Sequence, residues 1–85
     1  MKTTKQFNEK YKEFLTEGFY GLAIQNQEVI DYLDDIFGNV LVHLPNFKYQ
    51  QIKVKWGYVR FYADVDSTNL LQTIEQKLTS ILKAP

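Results

Sequence analysis

The apolar residues near the start of the chain recur at helical spacing. A hydroxyl of Thr3 or Thr4 can cap a first helix, because it can accept from free backbone N–H groups of the first turn. The apolar positions that follow are Phe7, Tyr11, Phe14 and Leu15. Gly18 is predicted to end this helix, and the segment GFYGL that begins there favours a bend.

A second helix is predicted after Asn26, which is a suitable cap. Its apolar face continues for about four turns: Val29, Ile30, Leu33, Ile36, Phe37, Val40, Leu41 and Leu44. Gly38 interrupts this run, and glycine in a helix costs about 0.5–1 kcal/mol relative to alanine. The unbroken spacing favours one helix through Gly38. The alternative ends the helix at Phe37 and makes residues 40–44 a short strand.

The stretch QIKVKWGYVRFYADV, residues 51–65, alternates in twos and predicts an antiparallel hairpin. With Trp56 and Gly57 as a two-residue turn, Lys55 faces Tyr58 and the two apolar stripes match. That register predicts a core side made of Ile52, Val54, Val59, Phe61 and Ala63. The tight turn requires a positive φ at Trp56, which tryptophan tolerates poorly. A longer loop with a shifted register is the alternative.

A last helix is predicted after Asp66 or Ser67, with one continuous apolar face: Leu70, Leu71, Ile74, Leu78, Ile81 and Leu82. The chain is therefore predicted to be a single α+β domain over residues 1–85, with the order α-α-β-β-α. In it an antiparallel hairpin over about 48–65 packs against helices in two layers. A two-stranded sheet has two unpaired edges. A strand from residues 19–24, a strand from 40–44 or a second copy of the chain could close them, so a homodimer is one of three alternatives.

The composition narrows the class of protein. A chain of 85 residues with 45% hydrophobic and 15% aromatic content suits one compact domain. Such a small domain needs its aromatic residues inside, so an exposed aromatic would be significant. The absence of cysteine excludes disulfides, thiolate metal sites and a cysteine nucleophile. We see neither a signal peptide nor an apolar run near the roughly 18 residues of a membrane span, so we expect a cytoplasmic protein with no membrane partner.

Charge is balanced in total but separated along the chain. Ten basic and ten acidic residues give a net charge of zero. Residues 28–35 contain four acids and no Lys or Arg: Glu28, Asp31, Asp34 and Asp35. Residues 48–60 contain four bases and no acid: Lys48, Lys53, Lys55 and Arg60. The two segments either complement each other within the fold or form a surface for a charged partner.

No catalytic signature is present in the sequence. His43 is the only histidine, and the nearest acidic cluster lies two or more helical turns away, so a helix-end or loop position is expected. Ser67 and Ser80 are the only serines, and neither lies in a nucleophile motif. The four glycines are scattered and form no phosphate-binding loop. We therefore predict no enzymatic activity, no metal and no cofactor.

The hairpin resembles a pattern found in small uncharacterised proteins of bacteriophages and bacteria. That pattern is Gln, Ile or Val, Lys, any residue, Lys, an aromatic, Gly, any residue, Leu or Val, Arg, Phe, Tyr. Here it reads Gln51, Ile52, Lys53, Lys55, Trp56, Gly57, Val59, Arg60, Phe61 and Tyr62. Gly18, Phe19 and Leu22 resemble the Gly-aromatic pair that precedes a helix in those proteins.

The sequence also departs from this pattern. Val54 stands where an acidic residue is common, Trp56 stands where Phe is common, and the chain lacks the cysteine-bearing tail that many of those proteins add. The resemblance implies a phage or prophage setting, hence the host cell cytoplasm. It implies no activity, so it assigns no functional residue.

Two surfaces are candidates for binding. The polar side of the hairpin carries Lys53, Lys55, Tyr58, Arg60 and Tyr62, with Tyr49 beside them. It is a solvated sheet face, a protein-binding surface, or a face on which single-stranded nucleic acid stacks. The acidic row Glu28, Asp31, Asp34 and Asp35 is either solvated or docks a basic partner. We predict a small non-enzymatic interaction protein that binds a host or phage protein through either surface, with single-stranded nucleic-acid binding by the hairpin as the alternative.

Overall fold

A computed structural model describes residues 2–84. Within them lie the helices Thr4–Lys10 (α1), Gln27–Asn39 (α2) and Thr68–Lys83 (α3). The strands are Gly21–Leu22 (β1), Lys48–Lys55 (β2) and Tyr58–Asp64 (β3). Short 3₁₀ turns at Lys12–Phe14 and Leu41–His43 follow α1 and α2. The predicted α+β class is confirmed, and the observed order α1-β1-α2-β2-β3-α3 includes a strand that the predicted order lacked. None of the helices in this part of the chain is long and apolar enough to span a membrane.

Side-chain caps start the three helices. Thr3, rather than Thr4, caps α1, and Gln6 returns the bond in a capping box. Asn26 accepts from the backbone N–H of Val29, and Ser67 from that of Leu70. The helix starts predicted from Thr3, Asn26 and Ser67 are therefore confirmed.

The predicted ends of the first two helices are wrong. α1 ends at Lys10, well before Gly18, and Leu15 forms a bridge with Tyr49 of β2. α2 runs through Gly38 but ends at Asn39, so neither the helix to Leu44 nor a strand over 40–44 forms. In both places the chain continues as a 3₁₀ turn that packs a later apolar side chain on the core, Phe14 after α1 and Leu41 after α2. The 3₁₀ turn after α2, for example, holds Leu41 fully buried.

The register predicted for the hairpin is confirmed. Lys55 pairs with Tyr58 and Lys53 with Arg60 across the two strands. Trp56 and Gly57 form the turn, with φ of 56° and 79°. Positive φ at both central residues is the geometry of the tight hairpin turn, so the alternative of a longer loop is wrong.

The sheet is mixed rather than a two-stranded antiparallel one. β1 pairs in parallel with β2, Gly21 opposite Gln51 and Leu22 opposite Ile52, which gives the order β1-β2-β3. Of the three ways to close the edge of β2, the segment within residues 19–24 is the one observed. Gly21 suits this position, because its φ is 73° and a Cβ there would clash with the Asn8 side chain.

A bulge in β2 moves Tyr49 from the polar side to the core. Tyr49 pairs with Ala63 and Gln51 with Tyr62, so Gln50 is an extra residue. Tyr49 and Ile52 are therefore both fully buried although they lie three positions apart. The prediction that Tyr49 belongs to the basic aromatic face is wrong. Burial raises the pKa of Tyr49 to about 12, and its hydroxyl donates to Asn8 Oδ1 at 3.2 Å.

Helix side chains bond the backbone at both edges of the sheet. On β1, the Asn8 amide donates to the Leu22 carbonyl at 3.0 Å and accepts from the Leu22 N–H at 2.8 Å. On β3, the Val59 N–H donates to Thr79 Oγ1 at 2.9 Å, and the Phe61 N–H donates to Glu75 Oε2 at 2.7 Å. Exposed edges invite pairing with other chains, and here these groups are bonded within the chain.

The core is centred on an aromatic cluster around Phe37, which is fully buried. Its ring lies 4.9–5.9 Å from five others, those of Phe7, Tyr11, Phe47, Tyr49 and Phe61. Helix α3 adds the buried side chains Ile74 and Leu78 to the hydrophobic core. From the predicted core side of the hairpin, Ile52, Val59 and Phe61 are buried, Ala63 is half-buried and Val54 is exposed. Val54 was predicted wrongly because it lies next to the hairpin tip, on the strand away from α3.

Candidate interaction surface

The five predicted residues of the hairpin lie together on its polar side. Lys53 is opposite Arg60, and Lys55 is opposite Tyr58. These positions alternate with the buried residues Ile52, Val59 and Phe61, and the two tyrosines, Tyr58 and Tyr62, are 51% and 46% exposed. We call this set the hairpin face: Lys53, Lys55, Tyr58, Arg60 and Tyr62.

Lysine side chains lie over both tyrosine rings of the hairpin face. Lys53 Nζ is 5.9 Å from the centroid of the Tyr62 ring. Lys83, in the last turn of α3, places its Nζ 4.2 Å from the centroid of the Tyr58 ring. Both distances are within the range of a cation–π interaction. Each ring therefore has one of its faces next to a cation of the same chain.

Trp56, at the tip of the hairpin, is the functional candidate that the sequence did not indicate. It is 85% exposed and adopts a φ of 56°. A large side chain in this left-handed region costs of order 1–3 kcal/mol. Exposure also leaves an indole unburied in a small domain that needs its aromatic residues inside. The matched stripes of the hairpin already placed Trp56 at its apex, and that position was the available signal.

A second exposed aromatic pair precedes β1. Phe19 is 50% exposed and Tyr20 is still more exposed. The chain then enters the sheet at Gly21, beside Gln51 of β2. These two aromatics therefore lie toward the β1 side of the sheet, and the hairpin face lies on β2 and β3.

Asp34, from the predicted acidic row, belongs to the framework of the fold. Its carboxylate lies 2.9 Å from both Lys2 Nζ and Lys10 Nζ, and it accepts from the Tyr11 hydroxyl at 2.5 Å. Burial by itself would raise the pKa of Asp34. The hydrogen bonds from Lys10, Tyr11 and Lys2 outweigh that effect and hold the pKa well below its usual range. Burial, followed by the bond to Asp34, raises the pKa of Tyr11.

The other acids of the row are on the surface. Asp31 lies 3.3 Å from Lys2 Nζ and accepts from the Gln27 amide. Asp35 accepts from the Asn39 amide at 2.8 Å, and Glu28 is exposed. The bases that neutralise this row come from the start of the chain and from α1. Lys2 and the α1 residue Lys10 therefore neutralise part of the acidic row, and within the described residues the basic side chains of the hairpin face form no ion pair with it.

We expect the free energy of unfolding to decrease as the pH is lowered, because of Asp34. A carboxylate whose pKa is lowered by folding stabilises the fold above its unfolded pKa, about 4, and that contribution is lost progressively as pH falls toward the folded pKa. Asp34→Asn should cost about 1–3 kcal/mol at neutral pH and flatten the acid limb. Urea unfolding at pH 7 and at pH 3 measures both effects. Asp31→Asn is the matched control, and equal losses in the two variants would contradict the role of Asp34.

The only histidine, His43, lies apart from the hairpin face and the acidic row. His43 is exposed at the end of the 3₁₀ turn, and its Nε2 lies 3.1 Å from the Gly38 carbonyl. This agrees with the predicted helix-end or loop position. Across residues 2–84, no group of three or more His, Cys, Asp or Glu side chains could hold a metal ion.

Comparison with known proteins identifies no relative. The chain matches no protein-family model, no curated protein and no solved structure.

Proposed function

We propose that this protein is a small non-enzymatic interaction protein that binds a protein partner through the hairpin face and Trp56. The observation that carries the proposal is Trp56, a strained and exposed indole at the apex of the hairpin. In the proposed arrangement the domain has two layers: the helices lie on one side of the sheet, and the hairpin face is open to a partner on the other. Binding would then bury aromatic surface that the fold leaves in water.

The charge of the surface indicates the chemistry of the partner. Lys53, Lys55 and Arg60 surround the tip, and residues 48–60 contain no acid. A complementary partner would offer an acidic rim around an apolar pocket that accepts Trp56. Trp, Tyr and Arg are the side chains that most often dominate binding energy, and the hairpin supplies all three.

The hairpin is a better candidate than the acidic helix. Asp34, in the middle of the acidic row, is engaged by Lys2, Lys10 and Tyr11, and Asp31 by Lys2. A docking partner would have to displace these lysines. The bases of the hairpin face form no ion pair with the chain's own acids in the described residues, so they are available to a partner.

Single-stranded nucleic acid is less well supported as the ligand. The nucleobases would stack on Tyr58 and Tyr62, but Lys83 and Lys53 already lie next to faces of those rings. Lys48 also donates to the Glu13 carbonyl at 2.6 Å. Three basic side chains remain on the hairpin face, and Lys83 adjoins it. The logarithm of the affinity for a single strand should therefore fall with the logarithm of salt concentration with a slope of only about −3.

The setting of the protein is a separate part of the proposal. The hairpin resemblance supports a phage or prophage origin and a host cytoplasmic location. A protein partner from the host or from the phage would suit that origin. No activity is carried over from the resemblance.

The proposal is tested by capture from host lysate with the tagged protein, with and without nuclease. Arg60→Ala combined with Tyr62→Ala should reduce recovery of the bound protein at least tenfold, because both side chains are exposed anchors. The thermal transition of this variant should stay nearly unchanged. Lys5→Ala combined with Lys77→Ala is the control, since both bases are exposed outside the hairpin. Undiminished recovery by the hairpin variant would refute the assignment, and recovery lost with nuclease would favour nucleic acid.

A further inference from the structure

We propose that the groove between β3 and α3 binds an extended peptide segment of the partner, with acidic side chains of the peptide toward Lys83 and Arg60. The inference rests on the proposed function, because Tyr58 and Arg60 belong both to the hairpin face and to this groove. It adds a second binding region and specifies the chemistry of the ligand. A cavity with a volume of about 810 Å³ lies here.

The backbone of β3 limits how a peptide can bind in the groove. The Val59 and Phe61 N–H groups already donate to Thr79 and Glu75 of α3. A peptide that added a strand to this edge would need those donors. The ligand must therefore be recognised mainly by side chains, with the strand as one wall and the helix as the other.

Helix α3 presents side chains that suit an extended peptide backbone. Gln72 and Gln76 both line the groove and are exposed, and residues four apart lie on one helix face. Each carboxamide can donate to a peptide carbonyl and accept from a peptide N–H. Ser80 continues the same row toward the hairpin tip. The helix thus offers a line of hydrogen-bonding groups that parallels β3.

Charged side chains are distributed unevenly along the groove. Because Val59 bonds Thr79 and Phe61 bonds Glu75, α3 runs opposite to β3 and ends with Lys83 next to Tyr58. Lys83 makes the tip end of the groove cationic, and Arg60 adds a second cation farther along β3, between Val59 and Phe61. Glu75 is the one acid among the lining residues, and one of its carboxylate oxygens is bonded to the Phe61 N–H. Acidic side chains of a ligand would therefore lie toward the tip, and uncharged residues toward Gln72.

The same distribution favours a peptide over nucleic acid. A nucleic acid strand carries a phosphate at every residue and would bring one close to Glu75. Lys83 also lies over one face of the Tyr58 ring, which limits base stacking on this side of the hairpin. A peptide can carry charge at one end only, which matches the groove.

The test is selection of binders from a random peptide library on the immobilised protein, followed by titration of the selected peptides. We expect enriched sequences with acids clustered at one end. Lys83→Glu should weaken their binding at least tenfold through like-charge repulsion, and Gln72→Ala combined with Gln76→Ala should weaken it several-fold. Lys77→Glu is the matched charge reversal on α3 outside the groove, and it should leave affinity within about twofold.

Any of the following outcomes would overturn the assignment of the groove as a peptide-binding site. Failure to enrich any acidic sequence would do so, as would enriched peptides that bind Lys83→Glu as well as the parent protein. An oligothymidylate probe that binds the parent but not Lys83→Glu, in the absence of peptide binding, would make the groove a nucleic-acid site. Peptides sensitive to Trp56→Asn but not to the groove variants would leave the hairpin function standing and refute the groove. Loss of partner capture by Trp56→Asn tests the hairpin function separately, because Trp56 does not line the groove.

Discussion

Replacing Phe37 by alanine should lower the free energy of unfolding by about 3–5 kcal/mol. Phe37 is fully buried, and its ring contacts aromatic side chains from α1, from β2 and β3, and from the segments that join the elements. Removing it leaves a cavity that rigid neighbouring rings cannot fill. A domain of this length has a total stability of roughly 4–13 kcal/mol at about 0.05–0.15 kcal/mol per residue, so much of the chain could unfold.

The same change at Phe19 is a matched control. Phe19 is 50% exposed, and its truncation should cost less than about 1 kcal/mol. Urea unfolding followed by circular dichroism measures both variants, and Phe37→Leu, which keeps part of the volume, provides a measurable intermediate if Phe37→Ala does not fold. Similar losses at positions 19 and 37 would show that the aromatic cluster is not the centre of the core.

Replacing Trp56 by asparagine should weaken binding of the partner at least about thirtyfold and yet leave the fold equally or more stable. The first effect follows from the loss of a central aromatic anchor, which typically contributes 2 kcal/mol or more. The second follows from backbone conformation, because asparagine tolerates the positive φ of this turn better than tryptophan does. A gain of up to about 1 kcal/mol is expected.

Weaker partner binding together with a higher free energy of unfolding in Trp56→Asn would identify Trp56 as a binding residue rather than a structural one. Trp56→Ala is the companion variant, since it removes the indole without adding a residue that favours the left-handed region. Titration of the captured partner and thermal unfolding measure the two quantities. A lower stability with unchanged binding in Trp56→Asn would mean that the indole supports the hairpin rather than a partner. Because Trp56 is the only tryptophan, its fluorescence also reports directly on burial at the tip.

The hairpin face shows how far sequence reasoning reaches in this protein. Alternation in twos, together with a turn that matches both stripes, predicted the pairing of Lys53 with Arg60 and of Lys55 with Tyr58. The same pattern placed Trp56 at the apex. It could not show that the indole remains in solvent, because exposure depends on what packs around the tip.

Local sequence signals determined the helix starts, the α+β class and the hairpin register, because caps, periodicity and turn residues act over a few neighbouring positions. Tertiary structure alone decided the parallel strand β1, the bulge that buries Tyr49 and the early ends of α1 and α2. It also decided that Asn8, Glu75 and Thr79 bond the sheet edges and that Asp34 joins α2 to α1. The physical reason is the same in each case. These contacts join residues far apart in the chain, and their free energy depends on shape and burial that no local pattern encodes.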